Sequence, residues 1–196
     1  MKFVDTDSET LQWFPTHMRW SSEGEREEWA ELCALAVLHA HEEKPRRRRI
    51  KGLRELLSAF VADFSKLTPA DQAFLFIPDP DELPVPAFLL LAESEGDRDA
   101  TLRQIVQADA GNVVRPVEVD TFTTERLGEG LRSTRYWATV DDQLMVTVRY
   151  GWRVEQSGLD LCLYMVWNDP GRMAAYADSV DEFTHTLWIN EVQKAD

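Results

Sequence analysis

Residues 144–167 read LMVTVRYGWRVEQSGLDLCLYMVW. Leu144, Val146, Val148, Tyr150 and Trp152 fall on one side of an extended chain, with Thr147, Arg149 and Arg153 on the other. Leu159, Leu161, Leu163, Met165 and Trp167 repeat the same two-residue period after Gln156-Ser157-Gly158. Successive side chains of a strand point to opposite faces, so this pattern spells a β-hairpin with one apolar face. Two more strand segments precede it. One is led by Val117 and Val119, the other runs from Leu131 to Val140, and Asp141-Asp142 joins the latter to the hairpin. Gly128-Glu129-Gly130 reads as the turn between these two. Downstream, Asp169 fits an N-cap and Pro170 the first helical position. Met173, Tyr176, Val180, Phe183 and Leu187 then recur at three and four, one stripe of a terminal helix. The stretch from Arg115 to Ile189 therefore specifies an antiparallel sheet with a helix on one face. It specifies no reaction.

Upstream, residues 1–20 mix Trp13, Phe14 and Trp20 with polar residues and Pro15, the composition of an extended arm that lays its aromatics on the body. Ser22-Glu23-Gly24-Glu25 has the form of a capping box. Trp29, Leu32, Cys33, Ala36, Val37 and Ala40 then mark a first helix closed by Pro45. A second helix from Arg47 to Lys66 carries Ile50, Leu53, Leu57, Phe60, Phe64 and Leu67, so residues 21–67 read as a helical hairpin. Phe74 to Ile77 and Ala87 to Ala92 are strand candidates, and Ser94 to Gln107 a short helix that Ser94 caps and Gly111-Asn112 follows. The expectation is one α+β domain over 1–196. A central antiparallel sheet of about five to six strands lies in residues 73–190, covered by the N-terminal helical hairpin and the C-terminal helix.

A chain of 196 residues buries about 70% of its unfolded surface and needs neither metal nor disulfide to fold. Cys33 and Cys162 sit in apolar runs with no pairing pattern and read as reduced core residues. Met1-Lys2-Phe3-Val4-Asp5 lacks the apolar run of a signal peptide, and no segment has membrane-span length, so a cytoplasmic location is expected. A net charge of −14 repels phosphate backbones, which disfavours direct nucleic-acid binding, and an acidic surface favours solubility and basic partners; the expected partner is another protein and no membrane. A homodimer is compatible with the sequence.

The chemistry-bearing motifs fail on context. Asp5-Thr6-Asp7 has the form of an aspartate-nucleophile phosphatase motif, but no alternating βα series follows. His39 and His41 point about 200° apart on a helix and cannot share a metal, and His17 and His185 stand elsewhere. Gly128-Glu129-Gly130 opens no helix, so a dinucleotide loop is excluded. No motif asks for a cofactor, no catalytic residue is assigned, and the balance is against an enzyme. The local anomaly is Lys44-Pro45-Arg46-Arg47-Arg48-Arg49-Ile50-Lys51. Cations oppose the dipole of a helix N-terminus. Glu42 and Glu43 can pair with one or two of the arginines, because adjacent helical residues point in different directions. Arg46, Arg47, Arg48 and Arg49 are therefore the candidate anion- or partner-binding residues.

Segments 131–140, 144–150 and 161–167, followed by Ser179-Val180-Asp181-Glu182-Phe183-Thr184-His185-Thr186-Leu187-Trp188, resemble a family of actinobacterial proteins of unknown function with a Mog1/PsbP-like fold. That resemblance implies a central antiparallel sheet with helices on both faces. It also implies action by binding other proteins. The functional expectation is a non-enzymatic protein-binding or accessory module. Two readings compete with it: a small-molecule-binding or hydrolytic enzyme with a cleft lined by Trp and carboxylates, and an acidic decoy for a DNA-binding protein.

Overall fold

The computed structural model describes residues 2–8, 12–41, 44 and 46–191. In chain order its elements are β1 (Lys2–Thr6), β2 (Trp13–Thr16), α1 (Glu23–Ala40), α2 (Arg47–Val61), α3 (Phe64–Leu67), β3 (Gln72–Phe76), β4 (Val85–Glu93), α4 (Arg98–Ile105), β5 (Glu118–Thr124), β6 (Gly128–Ala138), β7 (Leu144–Val154), β8 (Leu159–Trp167), α5 (Pro170–Ala175), α6 (Ala177–His185) and β9 (Leu187–Glu191). The chain is α+β, as expected, and divides into two compact units. One is Glu9–Ala87; the other is Met1–Ser8 with Phe88–Asp196. Among the described residues no helix is long and apolar enough to cross a membrane.

In the unit Glu9–Ala87, α1 and α2 form the expected hairpin. The Ser22 hydroxyl accepts from Glu25 N at 3.1 Å, and the Glu25 carboxylate accepts from Ser21 N at 2.9 Å. The capping box is thus real, with its return bond one residue earlier than the motif prescribes. These hydrogen bonds, Ser21's first, hold the Glu25 carboxyl below its usual range. The buried stripe of α1 is Ala30, Cys33, Ala34, Val37 and Leu38. Leu32, expected inside, is 62% exposed. The second helix stops at Val61 and resumes as α3, which leaves Leu67 outside. Residues of the expected arm form β2, antiparallel to β3, and Trp13 stacks on Phe76 at 4.5 Å. Trp29 Nε1 donates to Pro15 O at 2.9 Å, so the aromatics do pack on the body. Pro45 lies outside the described residues.

In the other unit the strand order is β4-β8-β7-β6-β5, and the pairs β5–β6, β6–β7 and β7–β8 are antiparallel. The alternation in β7 is realised from Val146 onward, while Leu144, expected on the apolar face, is exposed at the start of the strand. Val146, Val148, Tyr150 and Trp152 are buried on one face. Arg149, Gly151 and Arg153 occupy the other, where α4 packs on β7 and β6. Gly151 permits that packing, because a Cβ there would lie 2.9 Å from an Ile105 methyl carbon. Gly130 is tighter still: a Cβ would meet Gly151 O at 2.2 Å and a Trp152 ring carbon at 2.6 Å. It lies inside β6 opposite Trp152, so Gly128-Glu129-Gly130 opens a strand and the turn falls just before it.

Two expectations change here. The C-terminal helix is two short helices, and its last stripe residue is not helical. Asp169 and Pro170 start α5 as expected, with the Asp169 carboxylate accepting from Gly171 N and Arg172 N. At Tyr176 the backbone turns to φ −109°, ψ 8°, and its ring stacks on Trp167 at 6.5 Å. The bend gives α5 and α6 separate axes, with Met173 and Phe183 both buried. Leu187 then belongs to β9, which pairs antiparallel with β1 in the register Val4↔Ile189 and Thr6↔Leu187. The helix α4 begins later than expected. Ser94 Oγ donates to Asp160 at 3.1 Å, and Asp97 caps Ala100 N at 2.9 Å instead. It also ends at Ile105, before Gln107 with φ 55°, rather than at Gly111-Asn112.

Candidate anion and partner site

Arg46 is the N-cap of α2, with φ −82° and ψ 135°. Its carbonyl accepts from Arg49 N at 2.8 Å and Ile50 N at 3.0 Å. Its side chain cannot cap, since a guanidinium only donates, and the first turn of α2 contains no acidic residue. The helix therefore begins with its N–H groups and a row of cations at the same corner, with no carboxylate of its own first turn to offset them. Lys44, Arg46, Arg47 and Arg48 are exposed. Arg49 is half-buried and pairs with Asp81 at 2.6 Å; Asp81 N in turn donates to Asp79 Oδ1 at 2.7 Å. That pairing pins the loop after β3 to the first turn of α2.

Arg46, Arg48 and Arg49 line one open hollow of about 670 Å³ together with Lys44, Gly52 and Leu53. Gly52 leaves open space where a side chain would stand, and Leu53 supplies a buried apolar floor. Helical spacing explains the grouping. Arg49 and Leu53, and Arg48 and Gly52, are four apart and share a face. Arg47 does not line the hollow. The four candidate arginines thus divide into three around the hollow, one of them already paired, and one beside it. Among the described residues Arg46, Arg47 and Arg48 make no ion pair. Glu42 and Glu43, the partners expected from sequence, lie outside the described residues.

Other polar groups are consumed in holding the fold. Tyr150, fully buried, donates its hydroxyl to Asp181, and Arg132 Nη1 lies 3.1 Å from the same carboxylate. Burial first, and the Asp181 charge opposing Arg132, keep the Tyr150 phenol protonated far above its usual range. This cluster ties α6 to β6 and β7. On the opposite face Arg153 grips Asp160 with Nε–Oδ1 at 2.7 Å and Nη2–Oδ2 at 2.8 Å, and donates to the carbonyls of Glu95 and Gly96. Arg149 donates to Ile105 O at the C-terminal end of α4, where a cation suits the dipole. Sequence spacing placed Arg149 and Arg153 on one face. It gave no signal for their partners, which come from distant segments.

The remaining candidates disperse. His17 meets Trp20 edge-on and His185 lies 5.1 Å from Phe122, while His39 and His41 are exposed. Among the described residues no three metal-ligating side chains gather. Cys33 and Cys162 are buried free thiols. Burial pushes Cys33 up to about 12 and raises Cys162 despite Arg149 Nη1 at 3.6 Å. Asp5 and Thr6 sit on β1 of a two-stranded antiparallel sheet, not at the end of a parallel strand. Trp13, Trp152 and Trp167 are core residues. Trp188 and Glu191 share a hollow of about 690 Å³ with Arg126, but Glu191 is paired to Lys2 at 3.1 Å and Arg126 to Asp7. No protein-family model matches the chain, and comparison with curated proteins finds no match.

Proposed function

We propose that this chain is a non-enzymatic protein-binding or accessory module whose basic corner at the start of α2 receives an acidic segment of another protein. The observation that carries the reading is the hollow bounded by Lys44, Arg46, Arg48 and Arg49 over the Leu53 floor. Cations at a helix N-terminus oppose the dipole by ~0.3–1 kcal/mol each at low ionic strength, and among the described residues Arg46, Arg47 and Arg48 have no ion-pair partner. An external carboxylate relieves that repulsion, accepts from guanidinium and backbone donors together, and leaves an adjacent apolar side chain over Leu53. A cytoplasmic setting belongs to the same proposal. Kinship with the Mog1/PsbP-like fold does too; the succession β6, β7, β8 and then helices supports it.

The test uses a fluorescein-labelled peptide that alternates glutamate with leucine, titrated by anisotropy against wild type and Arg46→Glu/Arg48→Glu. Arg49 is left in place so that its contact with Asp81 survives. The double variant is expected to bind at least about tenfold more weakly, a loss of ~1.4 kcal/mol. Wild-type binding is expected to weaken as the Debye length falls to ~8 Å near physiological ionic strength. Equal affinity of the two proteins for the peptide would refute the proposal.

A further inference from the structure

The strand β5 is the outer neighbour of β6. Seven consecutive residues pair, from Glu118↔Thr134 to Thr124↔Gly128, without a bulge. Its sequence, EVDTFTT, contains no proline, glycine, lysine or arginine. Outer strands are ordinarily blunted by one of these devices or by shortness. β2, for comparison, is four residues long and carries Pro15. Among the described residues, no backbone hydrogen bond beyond those to β6 reaches 118–124. The alternate N–H and C=O groups on the free side of β5 thus form an open template. Glu118, Asp120, Thr121 and Thr123 are exposed along it.

The charge on this template has one sign. Glu118 and Asp120, the two charged residues of β5, are two apart and share a face; the turn that follows holds Glu125 and Arg126 and adds no net charge. Glu118 meets Arg115 at 3.1 Å in an exposed pair, which holds it only weakly. Asp120 makes no ion pair among the described residues. Arg132 lies directly across from it, but that guanidinium is engaged with Asp181.

We propose that β5 accepts an added strand: an extended segment of another protein carrying two basic side chains two residues apart, set opposite Glu118 and Asp120. Backbone pairing supplies the ladder, and the cross-strand charges select the segment. A second copy of this chain fits less well, because it would place two acidic strands, each on a body of net charge −14, side by side.

The test probes wild-type protein with three fluorescein-labelled nonapeptides of alternating valine and threonine. One has a lysine-threonine-lysine centre, one a glutamate-threonine-glutamate centre, and one repeats the lysine peptide with alternate peptide nitrogens methylated so that it cannot form a ladder. The lysine peptide is expected to bind and to slow hydrogen exchange at the amides of 118–124. The methylated peptide is expected to bind at least about tenfold more weakly, and the glutamate peptide weaker still. Glu118→Lys/Asp120→Lys should exchange the preference for lysine against glutamate. Equal binding of the methylated peptide would reduce the contact to charge attraction and overturn the proposal. Absence of binding by the lysine peptide, or protection confined to other segments, would overturn it too.

Discussion

Phe183→Ala tests whether the second helix of the C-terminal pair is locked to the sheet by burial. Phe183 is 2% exposed on α6. Losing the transfer of a buried aromatic side chain from water costs ~1.5–3 kcal/mol. The cavity that remains raises the total to about 3–5 kcal/mol, because the surroundings relax only in part. A folded domain is stable by ~5–15 kcal/mol, so the loss is a large share. For a chain of this size each kcal/mol moves the melting midpoint by ~2–4 °C, so the variant should melt roughly 6–20 °C lower. The assay is thermal unfolding followed by circular dichroism. Asp178→Ala, exposed on the same helix, serves as the control and should change stability by no more than ~1 kcal/mol, the scale of a helix-dipole contact. A Phe183→Ala midpoint within ~2 °C of wild type would show that α6 does not depend on this ring, and the assignment of its buried face would fail.

Gly130→Ala should destabilise by ~1–3 kcal/mol or more, because its methyl group meets a backbone oxygen and the Trp152 indole, neither of which can step aside; urea unfolding measures it, and an unchanged midpoint would mean that β6 shifts freely at that point. Acid should act through Asp160. Arg153 first, with Ser94 assisting against desolvation, holds this carboxyl below its usual range. A depressed folded-state value contributes stability that is complete above the ordinary carboxylate value of ~3.9 and is lost as pH falls through the folded value. The wild-type melting midpoint should therefore drop more steeply below about pH 4 than that of Asp160→Asn; parallel slopes in a pH series of melts would contradict it.

Local sequence determined the elements whose signals lie within a few residues. The two-residue period of β7 and β8 names which side chains share the apolar face, since the pleat forces the alternation whatever the neighbours are, but not that Thr147, Arg153, Asp160 and Cys162 on the other face are buried too. Asp169 and Pro170 start α5 because a carboxylate acceptor and a fixed φ are intrinsic to those residues. The arginine run at α2 was legible as an anomaly for the same reason: charge and dipole oppose each other within one turn. That Arg47 stands apart from the hollow lined by Arg46, Arg48 and Arg49 was not legible in the run itself.

Tertiary structure decided what depends on partners distant along the chain. Ser94 and Asp97 are both competent caps, and the choice fell to Asp97 because Asp160, 66 residues from Ser94, takes the serine hydroxyl. The stripe ending in Leu187 is periodic enough for one helix. Yet β1, at the other end of the chain, offers a pairing edge, and Leu187–Glu191 satisfies its backbone there instead. Leu32 has the spacing of a core residue and faces outward, because the position of α2 selects the stripe of α1 that is buried. The same holds for function. Composition supplied the sign of the charge, but only assembly determines that Arg49 is paired with Asp81 while, among the described residues, Arg46 and Arg48 make no ion pair, and that β5 is the last strand of its sheet. A side chain's chemistry is local, whereas its freedom to meet an outside partner depends on every neighbour the fold brings to it.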